Sequence, residues 1–239
     1  MAEQSLEQLE HEFHQIVSGI RPSDEKTKEQ AQKKWNSIAK PLHSLGKLEE
    51  DIMQIAALTG EREVHLDRKA LIVMCADNGV VEEGVTQTGQ EVTAIVAENF
   101  LMCNTSAAIM CEKAGVDIFP IDIGMAADTK VPRYKTANGT ANMTKGPAMT
   151  RKQALQAILT GIHQVKEKKE AGYQIIATGE MGIGNTTTSS AVASVLLEIE
   201  PAAITGRGAG LDDEGLKSKI HAIEKAIAVN QPDRADPVD

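Results

Sequence analysis

A chain of 239 residues with 41% hydrophobic content is long enough for one good-sized α/β domain and a small additional lobe. Its formal net charge of −9 excludes broad contact with nucleic acid, because binding a phosphate backbone requires clustered Lys and Arg. The acidic start MAEQSLEQLE lacks the apolar core of a signal peptide, and no apolar stretch approaches the length of a membrane span. We therefore expect a cytoplasmic protein with no membrane partner.

The cysteines and histidines are not spaced like metal ligands. Cys75, Cys103 and Cys111 show neither CxxC nor zinc-type spacing, so we expect buried, reduced thiols. His11 and His14 lie in HEFH, whose spacing differs from HExxH, and a solvated helix face accounts for them better than a metal site. The sequence predicts no metal.

Residues 1–60 are predicted to form a small helical lobe. Apolar residues recur at helical spacing from Glu3 to about Ile20, and a charged helix capped near Asp24 extends to about Ala39. After the turn-like PLHSLGKLE, a third helical pattern covers residues 48–58. All three helices have narrow apolar stripes and many charges. We therefore predict that they form a lobe distinct from a second domain at residues 61–239.

From Lys69 onward, strand patterns alternate with helical ones. Strands are predicted for ALIVMCAD (70–77), VDIFPIDIG (116–124), YQIIATG (173–179) and AAITG (202–206). Helices are predicted at 91–103, 105–114, 151–170, 186–198 and 216–229, with a long loop at 136–150, and long loops in compact domains are more often functional than idle. This alternation predicts an α/β fold with an open, mostly parallel, Rossmann-like sheet and helices on both faces. Pro120 indicates that its strand lies at an edge or carries a bulge.

The predicted strands end in polar and glycine-rich segments. Ligands of open parallel sheets bind at the carboxyl ends of the strands, where Asp77, Gly124, Glu180 and residues 206–210 fall. GEMGIG (179–184) is neither the dinucleotide fingerprint GxGxxG nor a Walker loop. It fits a glycine turn with Asn185 or Thr186 as helix N-cap and a ligand cradle about equally well. The second glycine loop, TGRGAG (205–210), favours the cradle.

Four segments together resemble a known family. CADNGVVEEGV (75–85), NMTKGPAMT (142–150), GEMGIGNTTTSSA (179–191) and AIAVNQP (226–232) are similar to nicotinate-nucleotide–dimethylbenzimidazole phosphoribosyltransferases, and PLHSLGKLE is similar to their N-terminal turn. The resemblance extends from about residue 35 to the end of the sequence. It implies transfer of phosphoribosyl from nicotinate mononucleotide to 5,6-dimethylbenzimidazole, which yields α-ribazole 5′-phosphate and nicotinate with inversion at the anomeric carbon. It also implies a homodimer and no cofactor.

The resemblance also implies roles for individual residues. Glu180 and Gly182 would hold the ribose of the nucleotide, and Lys219 would bind its phosphate, although Lys219 taken alone reads as an exposed helix lysine. The remaining assignments are Asn185 and Gly208 to nucleotide binding and Thr88 and Val96 to the base-binding slot.

Some positions depart from the family pattern. Asn78 replaces a more usual His, and Val96 replaces a Gln found in some relatives, so phenolic or purine acceptors stay open beside the benzimidazole. Family members continue well beyond Asp239, and their general base lies in that later segment. No catalytic residue is therefore assigned within this sequence, and a non-catalytic nucleotide-binding subunit or fragment that needs a partner segment is the alternative function.

Overall fold

The structure is a computed structural model that describes residues 4–238. The segment His14–Asp67 forms one compact unit, and the rest of the described chain forms the other. The sequence had placed this division at residues 60–61. The predicted start of the first helix at Glu3 lies outside the described residues.

Three helices occupy the N-terminal part of the described chain, as the periodicity predicts. They are α1 (Leu6–Ser18), α2 (Glu25–Ser37) and α3 (Lys47–Thr59). Asp24 caps α2, since its carboxylate accepts hydrogen bonds from the backbone of Lys26 and Thr27. Within the unit His14–Asp67, α2 and α3 bury small apolar side chains between them, chiefly Ala31 and Ala56.

The second unit contains a three-stranded parallel sheet. Its strands are β1 (Lys69–Ala76), β2 (Val116–Gly124) and β3 (Ile175–Met181), in the spatial order β2-β1-β3. Every residue of the central strand β1 is buried or half-buried, as expected for a parallel strand covered on both faces. The predicted fold class, an open parallel α/β sheet, is confirmed. Pro120 lies on edge strand β2, while the register shift falls at Cys75 and Ala76.

The predicted fourth strand is wrong. Residues 202–206 do not extend the sheet, because Pro201–Ile204 forms a short helix, α8. Proline at the first helical position has a φ angle that already suits a helix, which explains why this apolar run forms a helix. The segment after it, 205–210, is a loop with left-handed glycines at Gly208 and Gly210.

The remaining helices follow the prediction within a few residues. They are α4 (Glu91–Leu101), α5 (Ser106–Ala114), α6 (Arg151–Glu170), α7 (Asn185–Leu197) and α9 (Asp213–Asn230), with a 3-10 helix at Gly79–Glu83.

One stretch departs from the expectation about membrane spans. Glu91–Ala114 is long and apolar enough, by length and composition alone, to cross a membrane. In its apolar 18-residue window, 22% of the residues are buried in the structure. The structure divides it into α4 and α5, and Cys103 between them adopts a left-handed conformation with φ of 53°. Phe100 and Ala108 pack with Val73 of β1 in the core. Each helix alone is shorter than the roughly 20 residues that a span requires.

The three cysteines are free thiols. Cys75 and Cys111 are buried and Cys103 is half-buried. Burial raises the pKa of the Cys75 thiol to about 12, so this side chain acts as a small core residue.

Candidate active site

The loop Gly182–Gly184 joins β3 to α7 and lies directly against the end of β1. A Cβ atom at Gly182 would lie 2.2 Å from the Ala76 carbonyl oxygen, so only glycine fits here. Gly184 has φ of 92° and is the N-cap of α7 without any side-chain capping bond. The prediction of Asn185 or Thr186 as the N-cap is therefore wrong, because the chain needs the left-handed conformation that glycine provides.

Asn78 and Thr93 hold this loop from two other elements. The Asn78 amide donates to the Ile183 carbonyl oxygen at 3.1 Å, and the Ile183 N–H donates to the Thr93 hydroxyl at 3.0 Å. Gln90 donates in turn to the Asn78 carbonyl oxygen at 3.1 Å. The sequence singled out Asn78 only as a departure from the family pattern. Asn78 comes directly after a predicted buried strand, and this position in the sequence could have indicated its positioning role.

Glu180, Gly182 and Asn185 are brought together at the end of β3. The Asn185 amide donates a hydrogen bond to the Glu180 carboxylate, and a Cβ at Gly182 would lie 2.6 Å from that carboxylate. Desolvation by the surrounding protein raises the pKa of Glu180, and the bond from Asn185 partly opposes this shift. The Glu180 side chain nevertheless keeps an exposed side, so it can accept hydrogen bonds from a ligand.

Lys219 and Gly208 form a second group, together with Thr186. Lys219 is fully buried, and its ammonium group donates to the Thr186 hydroxyl at 2.7 Å and the Gly206 carbonyl oxygen at 3.0 Å. A Cβ at Gly208 would lie 3.3 Å from the Lys219 nitrogen. The interpretation of Lys219 as an exposed helix lysine is wrong, because the glycine loop and α7 cover it.

No carboxylate among residues 4–238 lies within ion-pair distance of Lys219. Desolvation lowers its pKa, since a buried ammonium lacks the solvation that stabilises its charge. Thr186 lies in the first turn of the 13-residue helix α7, where backbone N–H groups and the helix dipole favour an anion. The group therefore combines the Lys219 cation, which has no acidic partner, with the N-terminus of α7, which favours an anion.

The structure does not bring Thr88 or Val96 into these two groups. Thr88 is exposed in the loop before α4, and its carbonyl oxygen accepts from Thr86. Its neighbour Gln87 donates to the Gly210 carbonyl oxygen at 2.6 Å, which connects this loop to residues 205–210. Val96 packs against the core cluster that contains Val73. Their base-binding roles stay predictions.

The long loop 136–150 closes over the end of β1. The Thr140 N–H donates to the Asp77 carbonyl oxygen, and the Gly79 N–H donates to the Thr140 hydroxyl, both at 3.0 Å. The Asp77 carboxylate is buried and accepts from the Ala126 N–H at 2.7 Å. These bonds fix the polar segments that follow β1 and β2.

Glu82 and Glu83 belong to the 3-10 helix Gly79–Glu83. Lys145 donates to Glu82 at 2.7 Å, and Thr144 donates to Glu83 at 2.8 Å. These hydrogen bonds lower the pKa of both carboxyl groups, so both stay ionised. Their oxygens hold the loop 136–150 in place.

Similarity to known proteins shows the family to which this chain belongs. Residues 20–239 match the family model described as phosphoribosyltransferase, so this chain belongs to the phosphoribosyltransferase family. Curated relatives named nicotinate-nucleotide–dimethylbenzimidazole phosphoribosyltransferase include proteins from Ruminiclostridium cellulolyticum, 44% identical over 95% of this chain, and Acetivibrio thermocellus, 48% identical over 87%. A crystal structure of CobT from Thermus thermophilus matches 85% of this chain with a TM-score of 0.81 and 36% identity.

The resemblance read from the sequence is thus confirmed. The chain spans 65% of the Ruminiclostridium relative, 60% of the Acetivibrio relative and 62% of the Thermus chain.

The tight approach at Gly182 predicts a position-specific cost. Gly182→Ala places a methyl group against the Ala76 carbonyl oxygen and should destabilise the fold by about 1–3 kcal/mol, the usual range for overpacking. Gly206→Ala is the matched control, because a Cβ there meets no atom within 4 Å. Urea unfolding measures both variants. Equal free energies of unfolding for the two would contradict the close approach of the β3–α7 loop to β1.

The raised pKa of Glu180 predicts that its charge costs stability. The folded carboxyl binds a proton more readily than the unfolded one, so its contribution becomes unfavourable as the pH rises through its titration range. Glu180→Gln should therefore be as stable as the wild type at pH 4 and more stable at pH 7.5. Glu112→Gln, on the exposed face of α5, is the control and should show no such pH-dependent difference. Thermal unfolding of each variant is measured at both pH values. A Glu180→Gln variant that is less stable than the wild type at pH 7.5 would contradict the raised pKa of Glu180.

Proposed function

We propose that this chain binds nicotinate mononucleotide and takes part in the transfer of its phosphoribosyl group to 5,6-dimethylbenzimidazole or a related base, giving α-ribazole 5′-phosphate and nicotinate. Two features carry the proposal. Glu180, a partly desolvated carboxylate, lies at the end of β3 just before one glycine loop, and Lys219, a buried lysine without an acidic partner, lies under the next loop. The names of the curated relatives support it. The homodimer and the cytoplasmic location stay predictions.

The ribose assignment follows from what a carboxylate can bind. A carboxylate repels a phosphate but accepts hydrogen bonds from hydroxyl groups, and bonds to an ionised acceptor are stronger than neutral ones. Glu180 keeps an exposed side, and Asn185 fixes its orientation. A Cβ at Gly182 would lie 2.6 Å from the Glu180 carboxylate, so glycine at this position leaves that carboxylate its place.

The phosphate assignment follows from the unbalanced charge of Lys219. A buried cation with two neutral partners gains from a nearby anion, because attraction between charges is stronger away from water. The second loop is open on its outer side, since Gly206 is exposed and a Cβ there would meet nothing within 4 Å. Lys219 is covered, so a phosphate reaches it when residues 205–210 shift.

The reaction needs one further group. A lone pair on the azole nitrogen forms the new bond to C1′ from the face opposite nicotinate, and the old C1′–N bond breaks with its electron pair returning to the pyridinium nitrogen. The proton on the partner nitrogen of the azole passes to a general base. No metal is needed to draw electrons, because the leaving group already carries a positive charge.

We propose that the general base comes from residues that follow the matched region in the family. The carboxylates near the strand ends in the described chain are buried or hold neighbouring segments. Asp77 is 1% exposed, with one carboxylate oxygen accepting from the Ala126 N–H and the other without a hydrogen-bond partner, while Glu82 and Glu83 hold the loop 136–150. Glu180 is assigned to the ribose. Residues 1–239 would then bind the nucleotide but turn it over poorly without that later segment.

Lys219→Ala tests the phosphate assignment. The variant should bind nicotinate mononucleotide about tenfold or more weakly, the scale of losing a charge-assisted hydrogen bond of roughly 1.5–3 kcal/mol. Nicotinate riboside, which lacks the 5′-phosphate, should bind the variant and the wild type equally. Titration calorimetry measures the four affinities, and circular dichroism verifies that the variant is folded.

Lys217→Ala is the matched control, since Lys217 lies on the same helix and is exposed. It should leave both affinities unchanged. If Lys219→Ala weakens riboside and mononucleotide alike, Lys219 is structural and the phosphate binds elsewhere.

A further inference from the structure

Residues 206–210, which we call the lid, cover the ammonium group of Lys219. The Gly206 carbonyl oxygen accepts a hydrogen bond from Lys219 at 3.0 Å. A Cβ at Gly208 would lie 3.3 Å from the Lys219 nitrogen and 2.9 Å from the Thr186 hydroxyl oxygen, so the backbone of the lid lies directly on this group. Because Lys219 has no exposed surface, an anion can reach its nitrogen only when the lid moves.

The lid is a glycine-rich segment between two fixed ends. All five of its residues are exposed, and Gly208 and Gly210 have φ angles of 57° and 114°, which other residues seldom adopt. Before the lid, the N–H and the hydroxyl of Thr205 both donate to the Pro201 carbonyl oxygen. After the lid, Leu211 is buried. A short segment of this kind can change its φ and ψ angles while both of its ends stay in place.

A side chain from a distant part of the chain bonds to the lid. Gln87, in the loop before α4, donates from its amide group to the Gly210 carbonyl oxygen at 2.6 Å. The two residues are 123 positions apart in the sequence, so this bond depends on the lid being in its closed position. Gln87 also directly precedes Thr88, and the bond therefore connects the lid to the predicted base-binding loop.

We propose that Gln87 is a positioning residue whose bond to Gly210 keeps the lid closed over Lys219, and that this bond breaks when the phosphate of the nucleotide binds the ammonium group. The identity of the anion rests on the proposed function, whereas the closed lid and its bond to Gln87 do not. The phosphate would replace the Gly206 carbonyl oxygen as a partner of Lys219, and a charged acceptor bonds an ammonium group more strongly than a neutral one.

This role has a consequence of unusual sign. When only the open form binds, the apparent affinity is reduced by the fraction of molecules that are open. Loss of the Gln87 bond increases that fraction and should therefore strengthen phosphate binding. Removal of a residue that contacts the ligand, or that holds the site in its binding conformation, would weaken binding instead.

Acetylation of Lys219 by acetic anhydride measures lid opening without any ligand. Gln87→Met keeps the length of the side chain but removes the donor, and Gln87→Glu puts a carboxylate, which cannot donate, in the same place. Both variants should acetylate Lys219 about two- to tenfold faster than the wild type, the scale of losing one neutral hydrogen bond. Mass spectrometry of peptides gives the rate at each lysine.

Two controls accompany this measurement. Lys217 is exposed on the same helix, so its acetylation rate should be equal in all variants. Gln32→Met makes the same substitution at an exposed position of α2 and should leave the rate at Lys219 unchanged. Equal rates at Lys219 in the wild type and both Gln87 variants would overturn the proposal.

Titration calorimetry then tests the sign of the effect on binding. Gln87→Met should bind nicotinate mononucleotide about two- to tenfold more tightly than the wild type. Nicotinate riboside, which has no phosphate to displace the lid, should bind both proteins equally. Weaker binding of the mononucleotide to Gln87→Met would overturn the proposal, because Gln87 would then support the bound state.

The two measurements separate this inference from the proposed function. Faster acetylation of Lys219 together with an unchanged affinity for the mononucleotide would support the role of Gln87 in closing the lid. The same result would contradict the assignment of the phosphate to Lys219.

Discussion

The close contact between Gly182 and the end of β1 is the constraint on which the candidate site depends. A Cβ at Gly182 would lie 2.2 Å from the Ala76 carbonyl oxygen, so the absence of a side chain lets the β3–α7 loop lie against the central strand. This approach sets the position of Glu180 just before the loop and of α7 just after it. Asn78 and Thr93 then fix the loop through Ile183. One turn therefore positions both Glu180, which we propose holds the ribose, and the N-terminus of α7, which favours an anion.

The two groups of the site differ in how their charges are balanced. Glu180 keeps an exposed side, although its environment already disfavours ionisation, and Lys219 is buried with only a hydroxyl and a carbonyl oxygen as partners. Both charges cost the protein stability, and binding a ligand with hydroxyl groups and a phosphate would offset both costs. Affinity for such a ligand and stability without it are thus opposed.

Much of the fold and part of the site could be predicted from the sequence. The apolar run of β1 and the edge position of Pro120 follow from local chemistry, whereas the grouping of Glu180, Gly182 and Asn185 at one site came from the family resemblance. The helix at Pro201–Ile204 was missed because a short apolar run has no periodicity that separates strand from helix. The burial of Lys219 and the positioning role of Asn78 were also missed, because both arise from segments distant in sequence. The base-binding roles of Thr88 and Val96 came from family resemblance alone. In the structure, Val96 packs against the core and Thr88 accepts a local hydrogen bond, and neither contact indicates a ligand.

The most direct test of the central claim is a crystal structure of this chain with nicotinate mononucleotide bound. We expect a ribose hydroxyl within hydrogen-bond distance of the Glu180 carboxylate, about 2.5–3.0 Å, and the phosphate beside the Lys219 ammonium group. We also expect residues 205–210 to move while Gly182 stays against Ala76. A nucleotide bound with its ribose away from Glu180, or with its phosphate at another cation, would contradict both assignments.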